Sequence, residues 1–175
     1  MINLMYVVLM AMLAMNVSSD VLKGFSLVDD SLNRSTVNAS QTNEAIYKDF
    51  EEQMKANPKK VKEWYDKAQY VRQMSDSLYT LAETLKERIV KKSDGKDGDV
   101  RNVMLAPPTG QGKQLFQAIN SYRERIVKMV TDPAQQKIIR SNLSTEVPQD
   151  IRTLGKNWQE YMFESMPTAA AVTLL

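Results

Sequence analysis

Between Val61 and Ile89 one stripe recurs at alternating steps of three and four: Val61, Trp64, Ala68, Val71, Ser75, Leu78, Ala82, Leu85 and Ile89. Those steps keep one face of an α-helix turned the same way, and a strand cannot present that spacing. Tyr65 and Tyr79 flank the stripe, and Lys, Arg, Asp and Glu occupy the other faces. A helical face of this length needs an equally long apolar partner. The rest of the chain is therefore read first for helices that could supply one.

An upstream segment shows a pattern of the same kind. Val21, Phe25, Val28, Leu32, Ser35, Ala39, Thr42 and Ile46 form a second stripe, with Phe50 and Met54 beyond it. The steps are heptad-like, with small residues in the middle. "ANPKK" (Ala56–Lys60) separates the two stripes, with Asn57 suited to a cap and Pro58 to a first helical position. A helix ending near Lys55 and a second one starting at Pro58 are expected.

Nothing separates the first stripe from what precedes it. Residues 1–19 carry no charge, and the first ionisable group other than tyrosine is Asp20. Nineteen residues at 1.5 Å each rise about 28 Å, close to the hydrocarbon thickness of a bilayer. A signal peptide is the competing reading, since Val17–Ser19 would suit cleavage. No Lys or Arg precedes the apolar run, which weakens that reading and also leaves a retained anchor without its usual basic flank. A soluble core helix is seldom apolar all round for so many turns. A retained membrane helix over 1–19, contacting the lipid bilayer, is the reading preferred, followed by a domain over 20–175. The span and the first stripe would form one rod, reaching about 50 Å beyond the bilayer.

Downstream, Ser93–Gly112 reads as a Gly/Pro/Asp loop. Leu115, Ile119, Tyr122, Ile126 and Met129 mark a third helix. Asp132 and Pro133 cap and open a short fourth one. "STEVPQDIRTLG" is irregular, "NWQEYMFESMP" is aromatic-rich, and Pro167 opens a last helix, "TAAAVTLL". The fold class expected is all-α: a single N-terminal transmembrane helix continuing into a periplasmic antiparallel helical bundle.

Composition removes most chemistry. The chain has no Cys and no His, so it has no thiolate site, no Ser-His-Asp triad and no imidazole ligand. A net charge of +2 with mixed signs gives no nucleic-acid footprint. "TGQGK" (Thr109–Lys113) fails as a phosphate loop: Pro107 stands where the first Gly belongs and Gln114 follows the Lys. "DGKDGD" (Asp94–Asp99) fails as a calcium loop, because Leu105 falls where the bidentate Glu belongs. No enzyme and no cofactor are expected.

"MINLMYVVLMAMLAMNVSSDVLKGFSLVDDSL", "NEAIYKDFEEQMKANPKKVKEWYDKA", "SDSLY", "LSTEVP" and "NWQEYMFESMP" together resemble the N-terminal part of the GldM (PorM) family. These are inner-membrane proteins of gliding motility and type IX secretion. The resemblance implies an inner-membrane location, a cytoplasmic N-terminus, one membrane helix and a periplasmic domain. It also implies a homodimer inside a ring of GldL (PorL) subunits, powered by the proton motive force. Further domains would engage the outer-membrane secretion and adhesin machinery. Within the span, Asn3, Tyr6, Met10 and Asn16 are the candidate partner contacts: Asn and Tyr as polar groups, Met as an adaptable surface. Val21, Phe25, Val28 and Leu32 are the candidate shaft residues. A sensor or chemoreceptor ectodomain is the alternative, in which "AAAVTLL" would begin a second span.

Overall fold

The computed structural model describes residues 2–93, 99–108 and 110–175, with the side chains of 2–4, 7–19, 92, 93 and 99 outside that description. Every regular element among the described residues is helical. The first, α1 (Ile2–Ala56), is a single helix of 55 residues, about 82 Å long at the standard rise. Asn57 breaks it, and α2 (Pro58–Ser93) returns alongside. The turn is tight. The Asn57 amide still bonds to the Gln53 carbonyl at 2.8 Å, and its own carbonyl accepts from the Lys60 and Val61 amides. Pro58 opens α2 where an amide would have no helical partner.

The return packs where the sequence placed apolar positions, with two corrections. Val71, Ser75, Leu78 and Ala82 are half-buried, and Leu85 and Ile89 are fully buried. Trp64, expected in the stripe, is 61 % exposed, and Tyr65 is the half-buried aromatic in its place. Near its turn the hairpin is only two helices thick, so α1 can cover a narrow strip of α2.

The second correction concerns Ser93–Gly112. The expected loop contains a helix, α3 (Asp99–Met104), and its Val100, Val103 and Met104 are buried in the core. Six residues are too few to stand alone, so burial and not propensity holds this helix. Gly110 then lies against the end of it: a Cβ on Gly110 would sit 2.8 Å from the Leu105 carbonyl carbon. Only glycine permits that approach.

α4 (Gly112–Met129) runs antiparallel to α2, with Ser75 bonded to Tyr122 at 2.9 Å and Tyr70 to Arg125 at 3.2 Å. α5 (Pro133–Asn142) starts as expected, Asp132 accepting from the Ala134 amide with Pro133 in the first position. The "irregular" stretch holds one short helix, α6 (Gln149–Thr153), ended by Gly155 at φ +75°. α7 (Trp158–Phe163) opens with a reciprocal capping box between Asn157 and Glu160. α8 (Thr168–Leu174) follows Pro167.

The core sits at the end of the hairpin away from the turn. Leu85 and Ile89 of α2, the α3 residues, Leu115 of α4, Trp158 and Phe163 of α7 and Ala171 of α8 form one cluster. Trp158 meets Phe163 edge-on at 5.9 Å and Phe116 at 5.7 Å, geometries that favour aromatic pairs. Among the described residues no helix is long and apolar enough to cross a membrane. Most side chains of the expected 1–19 span lie outside the described residues, although the backbone from Ile2 onward is helical.

Candidate functional site: a helix held at two points

The feature that stands out is how little of α1 the domain covers. Its lower anchor is at Phe25. There α8 lies against it, and the Thr173 hydroxyl bonds to the Phe25 carbonyl at 3.4 Å and to its own Ala169 carbonyl at 3.0 Å. Ala170 and Ala171 are buried on α8, and their small side chains allow close approach of the helices. The upper anchor is Arg72 of α2, whose guanidinium bonds to Glu44 at 2.9 Å and lies 4.8 Å from the Tyr47 ring centroid. Burial raises the Tyr47 phenol above its ordinary value, and the Arg72 charge opposes this only in part. Phe50 and Met54 are half-buried above it.

Between these anchors every residue from Asp30 to Ile46 is exposed. A cleft of about 680 Å³ opens beside this stretch, between α1 and α2, lined among others by Ala39, Asn43, Tyr47, Ser75 and Tyr122. The stripe residues Val28, Leu32 and Ile46 are each about half exposed, at 49 %, 48 % and 50 %. Leu22, Leu27 and Val37 add further exposed apolar surface on the same helix. Isolated exposed apolar residues are ordinary, but this is a row along one rod.

The candidate residues fall into three groups. Val21, Phe25, Val28 and Leu32 share one face of α1, and of these only Phe25 is half-buried, under α8. Tyr6 is 66 % exposed and its neighbour Met5 75 %. Asn3, Met10 and Asn16 have side chains outside the described residues. The sequence reading missed Thr173 and Arg72. Neither carries a motif; their roles follow from a contact spanning 148 residues and from one spanning 28.

On α4, a polar clamp fixes the segment after α5. Arg123 donates to the Leu143 carbonyl at 2.8 Å and to Asn120, and the buried Thr145 hydroxyl donates to Asn120 at 2.9 Å. Arg140 reaches Glu124 at 2.6 Å, and that hydrogen bond is the main cause holding Glu124 below the usual carboxylate range. No group of three or more metal-ligating side chains occurs among the described residues. The arrangement is a long, largely bare helix packed against a compact base.

Comparison with protein families decides the kinship: the GldM N-terminal domain model matches residues 20–175. The chain belongs to the GldM family. That makes it a component of the gliding-motility and type IX secretion apparatus, and the match gives no support to the sensor reading. No curated protein matches the sequence. The matched GldM domain begins at Asp20, where the charge-free segment ends.

Proposed function

We propose that this chain is the driven shaft of an inner-membrane motor, carrying motion from a ring of GldL-type subunits to the periplasm. The observation that carries this reading is the continuity of α1, helical from Ile2 to Ala56. A helix of that length that remains largely uncovered is a costly choice for a mere tether and a suitable one for a strut. Residues 1–19 would cross the inner membrane with the N-terminus in the cytoplasm, and 20–175 would stand in the periplasm. The segment contains no Asp, Glu, Lys, Arg or His. A charge moved through 100 mV yields about 2.3 kcal/mol, so the proton-carrying group belongs to the ring, and this chain is turned by it. Asn3, Tyr6, Met10 and Asn16 would meet the ring.

The row Val21, Val28, Leu32, Ile46 would pair two copies into a homodimer, its small residues Ser35 and Ala39 allowing close approach. Domains beyond this one would engage the outer-membrane machinery. The test is the double variant Val28→Glu/Leu32→Glu, produced in a deletion strain. Both side chains are about half exposed, so the domain should fold while secretion and gliding are lost and the chain runs as a monomer in detergent. Full secretion with an unchanged assembly state would overturn the reading.

A further inference from the structure

We propose that the hairpin turn, Lys55 to Lys67, is a docking surface for an acidic segment of a partner protein. Two observations meet there. The first is charge. Lys55, Lys59, Lys60 and Lys62 stand within eight residues, with no carboxylate between Lys55 and Lys62. All four are exposed, and among the described residues none forms an ion pair. Like charges held this close repel one another, and an anion relieves the repulsion.

The second is Trp64. The helical period assigns it to the packed stripe, yet it is 61 % exposed, with the Lys67 ammonium 4.8 Å from its ring centroid. Lys60, Trp64 and Lys67 follow one another along a single face of α2 at steps of four and three. Exposed tryptophan is the residue type most concentrated among the side chains that dominate protein–protein affinity. Lys67 is held by Glu63 at 2.7 Å, so Lys55, Lys59, Lys60 and Lys62 would set partner choice and association rate through charge complementarity.

The ligand this surface fits therefore has carboxylates beside an apolar side chain, which describes an acidic peptide segment. A lipid headgroup surface is excluded on the membrane placement proposed above. From Asp20 to Ala56 the helix rises about 54 Å, many times the roughly 8 Å screening length of physiological salt.

The test uses the whole chain in detergent and a synthetic amphipathic peptide of Glu and Leu, with calorimetry for affinity and tryptophan emission for location. Saturable binding should shift the emission in the wild type but not in Trp64→Phe, because the second tryptophan, Trp158, is buried. Affinity should fall about tenfold or more in Trp64→Ala and in Lys59→Glu/Lys60→Glu/Lys62→Glu, and again at about 1 M salt, where screening reaches about 3 Å. Circular dichroism should be unchanged, since these side chains are exposed. If charge reversal unfolds the hairpin, the triple Lys→Gln variant supplies the same comparison. Absence of binding, binding that survives both variants, or displacement of the peptide by phosphatidylglycerol vesicles would overturn the proposal. None of these readouts depends on dimerisation or motion, so this surface and the shaft reading can fail separately.

Discussion

The hydroxyl of Thr173 donates to the carbonyl of Phe25, joining α8 to α1. At 3.4 Å the bond is long and contributes little by itself. The contact matters for what surrounds it, since Ala170, one helical turn back on the same face of α8, is buried.

That difference gives the first prediction. Thr173→Val should cost less than about 1 kcal/mol, the scale of an ordinary net hydrogen bond. Ala170→Leu should cost about 1–3 kcal/mol, because the added atoms have little space at a buried position. Urea unfolding of both variants checks the order. Equal costs would mean that the hydrogen bond, and not close packing, holds α8 to the rod.

The Arg123 clamp gives the second. Arg123→Met keeps the apolar stem but takes the donor from the Leu143 carbonyl, while the Asn120 amide oxygen still accepts from Thr145. An unsatisfied buried polar group costs about 1–3 kcal/mol. Hydrogen exchange should show the loss concentrated in 143–147, with the α1–α2 turn unaffected. Uniform loss across the chain would show that Arg123 supports the whole core.

Acid supplies the third. Glu63, Glu124 and Glu164 are all held below the ordinary carboxylate range, each chiefly by a hydrogen bond, from Lys67, Arg140 and Lys156 respectively. A carboxylate with a lowered folded-state pKa adds stability above its unfolded value and loses it as pH falls through the folded one. Melting temperature should therefore decline as pH drops below about 4, and the decline should be shallower in Glu124→Gln/Glu164→Gln. Glu63 is exposed and Glu124 and Glu164 are partly so, so the effect should also shrink in high salt. A decline of the same steepness in the variant would place the acid sensitivity elsewhere.

What the sequence revealed and what it hid follow from range. The α1–α2 hairpin was legible because helical period, Asn57 and Pro58 are all local. So was the start of α5, where Asp132 and Pro133 announce it. Trp64 misled because periodicity reports a face and not whether anything covers it. α3 was missed because Asp and Gly dominate the residues before it, while its Val100, Val103 and Met104 gain stability only from distant partners such as Leu85 and Phe163. The exposed middle of α1 was hidden for the same reason. Its stripe is indistinguishable in sequence from one that is packed, and only the positions of α2 and α8 show that neither covers it. Tyr6 was placed on a shared face with Asn3 by spacing alone.

The last prediction concerns stiffness. If α1 transmits motion, the helical backbone between residues 1–19 and the anchor at Phe25 must resist twisting. A short Gly-Ser segment inserted after Ser19 behaves as a flexible coil and would let the preceding residues turn without moving the domain. Secretion and gliding should then be lost, although the core around Leu85, Ile89 and Phe163 lies far from the insertion and should remain folded. Gly24→Ala is the matching control in the same stretch. A Cβ at Gly24 would meet nothing within 4 Å, so alanine should be accommodated. It should stabilise the helix by up to about 1 kcal/mol through its better propensity. Activity should be retained in Gly24→Ala and absent in the insertion, measured by complementation, with circular dichroism as the folding control. Full activity with the flexible insertion would show that the domain works as a tethered module, and that the continuity of α1 has no part in transmission.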